Sequence, residues 1–453
     1  MQHRSSCRRF WWSWGMSNWE YVTLGHISNQ RKGINYKSED YADEQSGHPF
    51  ITIKCFVKGG GYEPKGIKFY GGFSTKADHL SLGDILFSVT DLTRAGDIVG
   101  SPLRVPEFGG DKPVLASMDC MRIEPIEDRC EKSFLYHRLM LSDVRRQMVA
   151  YSAGSTVLHL DTKKVPHISI RVPIDVRIQG SIASILDTID QTIEKTEALI
   201  KKYQQIKAGL MHDLFTRGIG ADGKLRPPRE QAPELYQQTP IGWIPKEWVF
   251  STCSDVCEKV IDCKNRTPPI TPDGYPVIRT PNVRNGSFVD NELVFTDTHS
   301  YLIWTARGKP LPGDVVITRE APVGEVCKIP ERHPQACLGQ RMMLYRTDPD
   351  NIVNDFFLYA LQSTAIQNRL DLISGGSTVG HVRVGDIRNL WFFYPKSKNE
   401  QFGIAESLNK ISSKIEAESN HLNKLKQNKS GLMHDLLTGK VQVNVDQAEA
   451  VHA

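Results

Sequence analysis

Over two long stretches of the chain, apolar residues recur in alternating steps of four and three. The first series runs Ile182, Leu186, Ile189, Ile193, Ile200, Tyr203, Leu210 and Leu214, with polar Thr196 and Lys207 at two steps of the same ladder. The second runs Ile404, Leu408, Ile411, Ile415, Leu422, Leu425, Leu432 and Leu436, interrupted at the matching steps by Glu418 and Lys429. This spacing draws one apolar stripe along a helix, and a stripe sustained over several heptads specifies helices that pair through an a/d seam. Proline is absent from both series, and glycine enters only at Gly209 and Gly431. Helices are therefore predicted over 179–216 and 401–438, with a seam of about 50 Å at 1.5 Å per residue.

The two series are copies. "GLMHDL" occurs from Gly209 and again from Gly431, 222 positions on (431 − 209). The same offset carries "GSTVLH", from Gly154 to His159, onto "GSTVGH", ending at His381. Between these anchors Pro173 matches Pro395, Gln179 matches Gln401 and Ile193 matches Ile415. A long ungapped repeat of this kind fixes the architecture before any other reading.

Upstream of each helix the copies diverge. Trp19 still echoes Trp248, "GHPFITI" echoes "GYPVIRT", and "GDILFSVT" echoes "GDVVITRE", at offsets that vary by a few residues. These segments alternate β-branched runs with Gly, Pro, Asp and Asn turns, which predicts short strands. The expected class is α+β: two mixed, mostly β globules joined and separated by two long antiparallel coiled-coil helices, with internal duplication and pseudo-twofold symmetry. In order, the chain reads as an N-terminal extension (1–16), a globule (17–178), a helix (179–216), a linker (217–247), a second globule (248–400), the second helix (401–438) and a tail (439–453). The linker's Gly, Pro and polar content reads as an extended connection. Met16 is the expected functional start.

Composition narrows the classes. With 40% hydrophobic and 24% charged residues, the 453-residue chain is that of an ordinary globular protein. Mean hydropathy is −0.37, and no apolar run is long enough to span a membrane. Nine irregularly spaced cysteines suit reduced thiols and a cytoplasmic location. Cys253, Cys257 and Cys263 lack the spacing and partner pair of a zinc site. A net charge of +4 permits a nucleic-acid partner without arguing for one.

No catalytic constellation emerges. There is no phosphate-binding Gly-rich loop ending in Lys and Ser/Thr, no Gly-x-Ser-x-Gly elbow, no His-Glu-x-x-His helix and no Asn/Asp-Pro-Pro-aromatic signature of adenine amino-methylation. Gly59, Gly60 and Gly61 read as a turn. His212-Asp213 and His434-Asp435, inside the repeated phrase, read as polar residues flanking an apolar stripe, and no metal site is expected.

The repeated "GLMHDLLTG", the "TPIGWIPKEW" entry to the second globule and "GDVVITREAPVGEV" within it resemble the DNA-specificity subunits of type I restriction–modification enzymes, over 17–445. The resemblance implies a target-recognition domain in each half, each reading one part of a split duplex-DNA target while the helix pair sets the gap. It implies a non-catalytic chain that scaffolds two methyltransferase subunits and the restriction and translocase subunits. S-adenosylmethionine, ATP and Mg would belong to those partners, and this chain would hold no cofactor.

Arg or Lys pairs with guanine, Asn or Gln with adenine, and other basic or hydroxyl groups hold phosphates. On that chemistry the candidates in the second domain are Arg279, Thr280, Asn282, Arg284, Thr318, Arg319, Gln340 and Arg341. In the first domain they are Lys54, Lys58, Lys76, Thr90 and Arg94. Trp19 and Trp248 are expected to pack in cores. Two other readings stand beside this one: an orphan DNA-binding scaffold without active partners, and a coiled-coil interaction protein.

Overall fold

The structure, a computed structural model, describes residues 18–93, 95–375 and 380–443. The expected extension at 1–16, Arg94, residues 376–379 of the second "GSTVGH" and most of the tail lie outside them. The chain divides into two compact units, Met1–Glu197 with His421–Ala453, and Ala198–Asn420.

Unit 1 is built on a four-stranded antiparallel sheet in the order Ser28–Lys32, Cys120–Pro125, Ile85–Ser88, Pro102–Arg104. A smaller mixed sheet places His48–Ile51 between Lys68–Tyr70 and Leu115–Ala116. Trp19–Thr23 pairs with Ser169–Pro173, which brings the start of the unit beside the entry to its long helix. Helices Lys132–Leu139 and Ser142–Ala150 cover the main sheet, with Phe134, Leu135, Leu139, Val144 and Met148 in the core.

Unit 2 repeats this plan. Its four-stranded sheet runs Cys257–Asp262, Met342–Thr347, Val315–Arg319, Val323–Lys328, and its mixed sheet places Tyr275–Ile278 between Val294–Thr296 and Cys337–Leu338. Trp248–Thr252 pairs with Trp391–Pro395, so Trp248 faces Pro395 as Trp19 faces Pro173. The runs "ILFS" and "VVITR" are fully buried strands, as β-branched central strands should be. All three weak echoes in the divergent segments are thus structural equivalences.

The long helices are Val176–Thr216 and Lys398–Leu437, each starting three residues before its predicted boundary. In both, the first turn is held by a buried glutamine. Gln179 accepts from Glu131 N (2.9 Å) and donates to the carbonyls of Arg129 (3.3 Å) and Pro173 (2.9 Å). Gln401 accepts from Val353 N (2.8 Å) and donates to Asn351 (3.1 Å) and Pro395 (2.9 Å). All of these partners obey the offset of 222.

Each unit contains the N-terminal half of one long helix and the C-terminal half of the other. In unit 1, Ile182 and Leu186 share a core with Leu436 and Leu437, while Lys429 meets Asp190 at 2.5 Å and Lys426 meets Glu197 at 2.7 Å. In unit 2, Leu214 and Phe215 share a core with Ile404, Ala405 and Leu408. The repeated phrase therefore closes a core twice, the second copy in unit 1 and the first in unit 2. Ladder residues nearer the helix midpoints, such as Ile189, Ile193, Ile200, Ile411, Ile415 and Leu425, are half-buried. Thr196, at a seam position, is buried and satisfies its hydroxyl on the carbonyl of Thr192.

Both phrases end on a left-handed glycine. Gly218 (φ 66°) and Gly439 (φ 72°) follow the helices, and a Cβ at either would stand 2.8 Å from Trp248 and 2.7 Å from Trp19, respectively. Glycine is needed there both for the turn and for the close approach to the indole.

The linker departs from the expected extended connection. Tyr236–Thr239 and Gly242–Pro245 form a hairpin, and Tyr236 donates its hydroxyl to the carbonyl of Pro227. Arg226 binds Glu400 through both carboxylate oxygens (2.6 and 2.9 Å) and reaches Glu247 (2.6 Å), while the Trp248 indole N–H donates to Glu400 (3.0 Å). The buried Arg226–Glu400 pair, joined by the Trp248 indole, thus ties linker, strand and helix in unit 2. Among the described residues, no helix is long and apolar enough to cross a membrane.

Candidate nucleic-acid interface

The sequence candidates separate into exposed groups and scaffold. In unit 1 Lys54 and Lys76 are exposed, and exposed Lys58 pairs with Asp97 at 2.5 Å. In unit 2 Gln340 is exposed, while Arg279, Thr280, Arg284 and Arg341 are half-buried. Arg279 donates to the carbonyl of Glu292 (2.6 Å), and Arg284 donates to those of Thr280 and Val283 (2.8 Å each).

Four candidates belong to the scaffold. Asn282 is fully buried; its amide accepts from Arg279 N and donates to the carbonyls of Val289 and Asn291, clamping the turn. Thr318 is fully buried, donating to Pro322 O (2.6 Å) and accepting from Glu325 N (3.0 Å). Arg319 is buried and donates to the carbonyl of Val382 (3.3 Å). Thr90 is buried, with its hydroxyl on Asp119. In this conformation a base edge or phosphate does not reach these four. Polar sequence marked them, but such residues also serve hydrogen-bonded burial, Asn282 in a turn and Thr90, Thr318 and Arg319 in strands.

Strand register also brings together groups from separate segments at and just below the surface, among them the sequence candidates Thr90 and Arg341. In unit 1 the Thr90 hydroxyl donates to Asp119 (2.9 Å) and lies 3.4 Å from Nδ1 of exposed His159. In unit 2 Glu320 receives Arg341 Nε at 3.0 Å on one oxygen and His381 Nδ1 at 2.7 Å on the other. Ser88 pairs with Cys120 where Thr318 pairs with Met342, which aligns Asp119 with Arg341 and Thr90 with Glu320. His159 and His381 are aligned by the offset of 222. The same three backbone places thus carry a carboxylate, a hydroxyl and an imidazole in one unit, and a guanidinium, a carboxylate and an imidazole in the other. Arg341 holds a left-handed backbone (φ 73°), and so does Ala321 (φ 51°) beside Glu320. Side-chain-bearing residues adopt that conformation at a cost of about 1–2 kcal/mol, so the surrounding structure imposes it.

Two further surface hollows, also matched, lie beside the second covering helix of each unit. The helix in unit 1 offers Arg145 and Arg146; the helices in unit 2 offer Gln362 and Gln367. A shared periodicity would have marked these helices, but their sequences give no sign of facing a surface hollow.

Cys253 and Cys263 sit in separate apolar clusters, and among the described residues no group of His, Cys, Asp and Glu is arranged to hold a metal ion. His212 and His434 are exposed, and each carbonyl accepts from a threonine hydroxyl four residues on, Thr216 and Thr438. Asp213 faces Arg217 at 3.7 Å and Asp435 faces Lys440 at 3.3 Å. These are helix-end contacts.

The family model for the type I restriction modification DNA specificity domain matches residues 16–205 and 245–427, so the chain belongs to that family of DNA-specificity subunits. It is 24% identical over 437 residues to the type I restriction enzyme MjaVIII specificity subunit of Methanocaldococcus jannaschii, covering 94% of this chain and 93% of that one. It is 24% identical over 376 residues to the putative MjaX specificity subunit of the same organism, covering 80% of each. The crystal structure of the type I restriction–modification S subunit from M. genitalium superposes with a TM-score of 0.59 at 14% identity, covering 93% of this chain and 96% of that one. That likeness shows the fold.

Proposed function

We propose that this chain is the non-catalytic reader of a bipartite duplex-DNA target, one half-site per unit, and that its two long helices form an antiparallel coiled-coil spacer with pseudo-twofold symmetry that fixes the gap. On this reading it scaffolds two methyltransferase subunits and the restriction and translocase subunits in the cytoplasm. S-adenosylmethionine, ATP and Mg are bound by those partners. The observation that carries the proposal is the contrast between scaffold and surface. Gln179 and Gln401 make the same three contacts in both units, whereas the aligned places at the surface hold Asp119 and His159 around the buried Thr90 hydroxyl in one and Arg341, Glu320 and His381 in the other. A duplication that keeps its frame and changes its exposed hydrogen-bonding groups suits two different base sequences. The absence of phosphate-cradle and amino-methylation motifs agrees with reading rather than methylating or cutting.

The test is a map of methylated adenines in cells carrying the chain with a type I methyltransferase subunit, against cells lacking only this chain. A split motif of fixed gap, lost in the control, is expected. Methylation unchanged by removal of the chain overturns the proposal. Exchanging residues 17–178 for those of a relative should then change one half of the motif and leave the gap and the other half alone. A whole heptad added to both helices should alter the gap while both half-sites stay as they were.

A further inference from the structure

The two hollows beside the second covering helices are equivalent in position and opposite in chemistry. In unit 1 a cleft of about 330 Å³ opens between helix Ser142–Ala150 and the turn that carries Lys58. In unit 2 a cleft of about 230 Å³ opens between helices Asn354–Gln362 and Thr364–Ile373 and the turn that carries Asn285. The helices align at the offset of 222: Val144 and Met148 are buried where Ile366 and Leu370 are buried. The turns align too, since Phe56 pairs with Tyr62 where Val283 pairs with Phe288.

Within this shared frame one helix position donates to a backbone carbonyl of the cleft's far wall in each unit, though not at the same place along that wall. Arg145 donates to the carbonyls of Gly96 (3.3 Å) and Asp97 (2.6 Å), and Gln367, 222 residues on, donates to that of Gly324 (3.1 Å). What faces outward differs. The unit 1 cleft is lined by Lys58, Arg145 and Arg146 against a single carboxylate, Asp97, which Lys58 already meets. The unit 2 cleft has no cation in its lining; it carries the Glu325 carboxylate, which accepts from Asn285 N (2.7 Å), and the amides of Asn285, Gln362 and Gln367. Gln362 stands where unit 1 has Met140, and each flanks a glycine of the turn, Gly286 and Gly60.

Cationic donors attract groups that only accept: phosphate oxygens, or the O6 and N7 edge of guanine. A cleft with a carboxylate and amide oxygens repels phosphate and accepts from the exocyclic amino groups of cytosine or adenine. Resting on the DNA-reading proposal above, we infer that these matched clefts both contact duplex DNA and divide its chemistry: the unit 1 cleft takes acceptor groups, and the unit 2 cleft takes an amino-bearing base edge. The two halves of the target are then bound by different forces. Unit 1 contributes cationic attraction, and unit 2 contributes sequence preference with little dependence on salt.

The experiment selects from a pool of randomised duplexes with the full chain, in complex with the methyltransferase subunits, over a series of salt concentrations. The double variant Lys58→Gln/Arg146→Gln should act on unit 1 alone. Loss of a guanine preference in one half-site identifies a base edge as the acceptor. An unchanged motif with a salt slope smaller by about 0.9 for each phosphate no longer neutralised identifies the backbone. The double variant Glu325→Gln/Gln362→Met should erase a cytosine or adenine preference in the other half-site and leave the salt slope unchanged. Thermal unfolding is recorded for each; a variant whose unit no longer melts cooperatively is replaced by Lys58→Gln or Glu325→Gln alone, judged by the same readouts. If both double variants keep the parental motif and slope, or both act on the same half-site, the inference is overturned. A parental complex that enriches no sequence defeats the DNA-reading proposal itself, and this inference with it.

Discussion

Units 1 and 2 share a fold but solve one structural problem differently. Where unit 2 places Glu400 in the first turn of its long helix, the offset of 222 gives unit 1 Ile178. Ile178 packs against the unit 1 core. Glu400 binds Arg226, and the side chains of both are less than a tenth exposed. In unit 2 the linker arrives at the base of the helix, and the buried carboxylate gives that linker a fixed attachment. A buried ion pair adds little net stability but imposes one geometry, and losing one partner leaves the other charged and buried.

The sharpest way to break this comparison is therefore Glu400→Ala. It should destabilise unit 2 by about 3–5 kcal/mol, the usual cost of stranding a buried charge. Ile178→Ala should cost unit 1 about 1–2 kcal/mol, toward the low end for apolar truncation because the side chain is only half-buried. Calorimetric unfolding resolves the two, and equal losses would show that the ion cluster is no more than packing.

The glutamine clips test the opposite side of the comparison, where the units agree. Gln179→Ala and Gln401→Ala each leave one N–H and two carbonyls without their side-chain partner. Each should cost about 2–3 kcal/mol, in its own unit and by similar amounts. Hydrogen exchange at Glu131 N and Val353 N reports the loss locally; protection unchanged at either amide would remove the clip from the account.

A smaller difference should appear with pH. His137 is buried in unit 1, with Nε2 2.8 Å from Asp187, which also pairs with Arg104 at 2.8 Å. The matching pair in unit 2 is Tyr359 and Asn409, also 2.8 Å apart. Burial lowers the imidazole pKa, outweighing the hydrogen bond to Asp187 that raises it. Asp187 is itself held well below the usual carboxylate range: burial opposes this, but the hydrogen bond from His137 and the Arg104 charge prevail. Since the folded imidazole stays neutral where the unfolded one takes a proton, the unfolded state binds more protons below the ordinary histidine pKa of about 6.5. Stability from this group is complete above that pH and declines as pH falls through it toward the lowered folded value. Unit 1 should lose stability from about pH 6.5 downward more steeply than unit 2, and His137→Gln should flatten the difference. A parental chain whose units respond alike over that range would contradict the assignment.

The smallest effect is expected at the seam. Lys429 meets Asp190 with both side chains about a fifth exposed, whereas Lys207, its repeat partner, lies 5.4 Å over the Tyr359 ring and has its pKa lowered by burial. Lys429→Met should cost about 0.5–1 kcal/mol, as for a partly exposed pair. Lys207→Met should be neutral or stabilising, and equal costs in urea unfolding would show that the two lysines are interchangeable.

Residue order alone was enough to establish the duplication and the two long helices, and to mark matching short strands. The first two follow from local period and from residue identity at a constant offset, the strands from echoes whose offset varies by a few residues. Residue order also pointed Trp19 and Trp248 inward, and in the structure Trp19 lies against Phe134 and Trp248 stacks on Phe393. Packing in three dimensions decided which helix half completes which unit, because a heptad stripe specifies a partner face but leaves the partner's identity open. It decided that Asn282, Thr318 and Arg319 belong to the scaffold, since a polar residue in a turn or at a strand end reads the same whether its hydrogen bonds go to water or to buried carbonyls. It also assembled Glu320, Arg341 and His381, and opened matched clefts beside Arg145 and Gln367. Their members lie on separate strands, turns and helices, and only packing brings such distant segments to one surface.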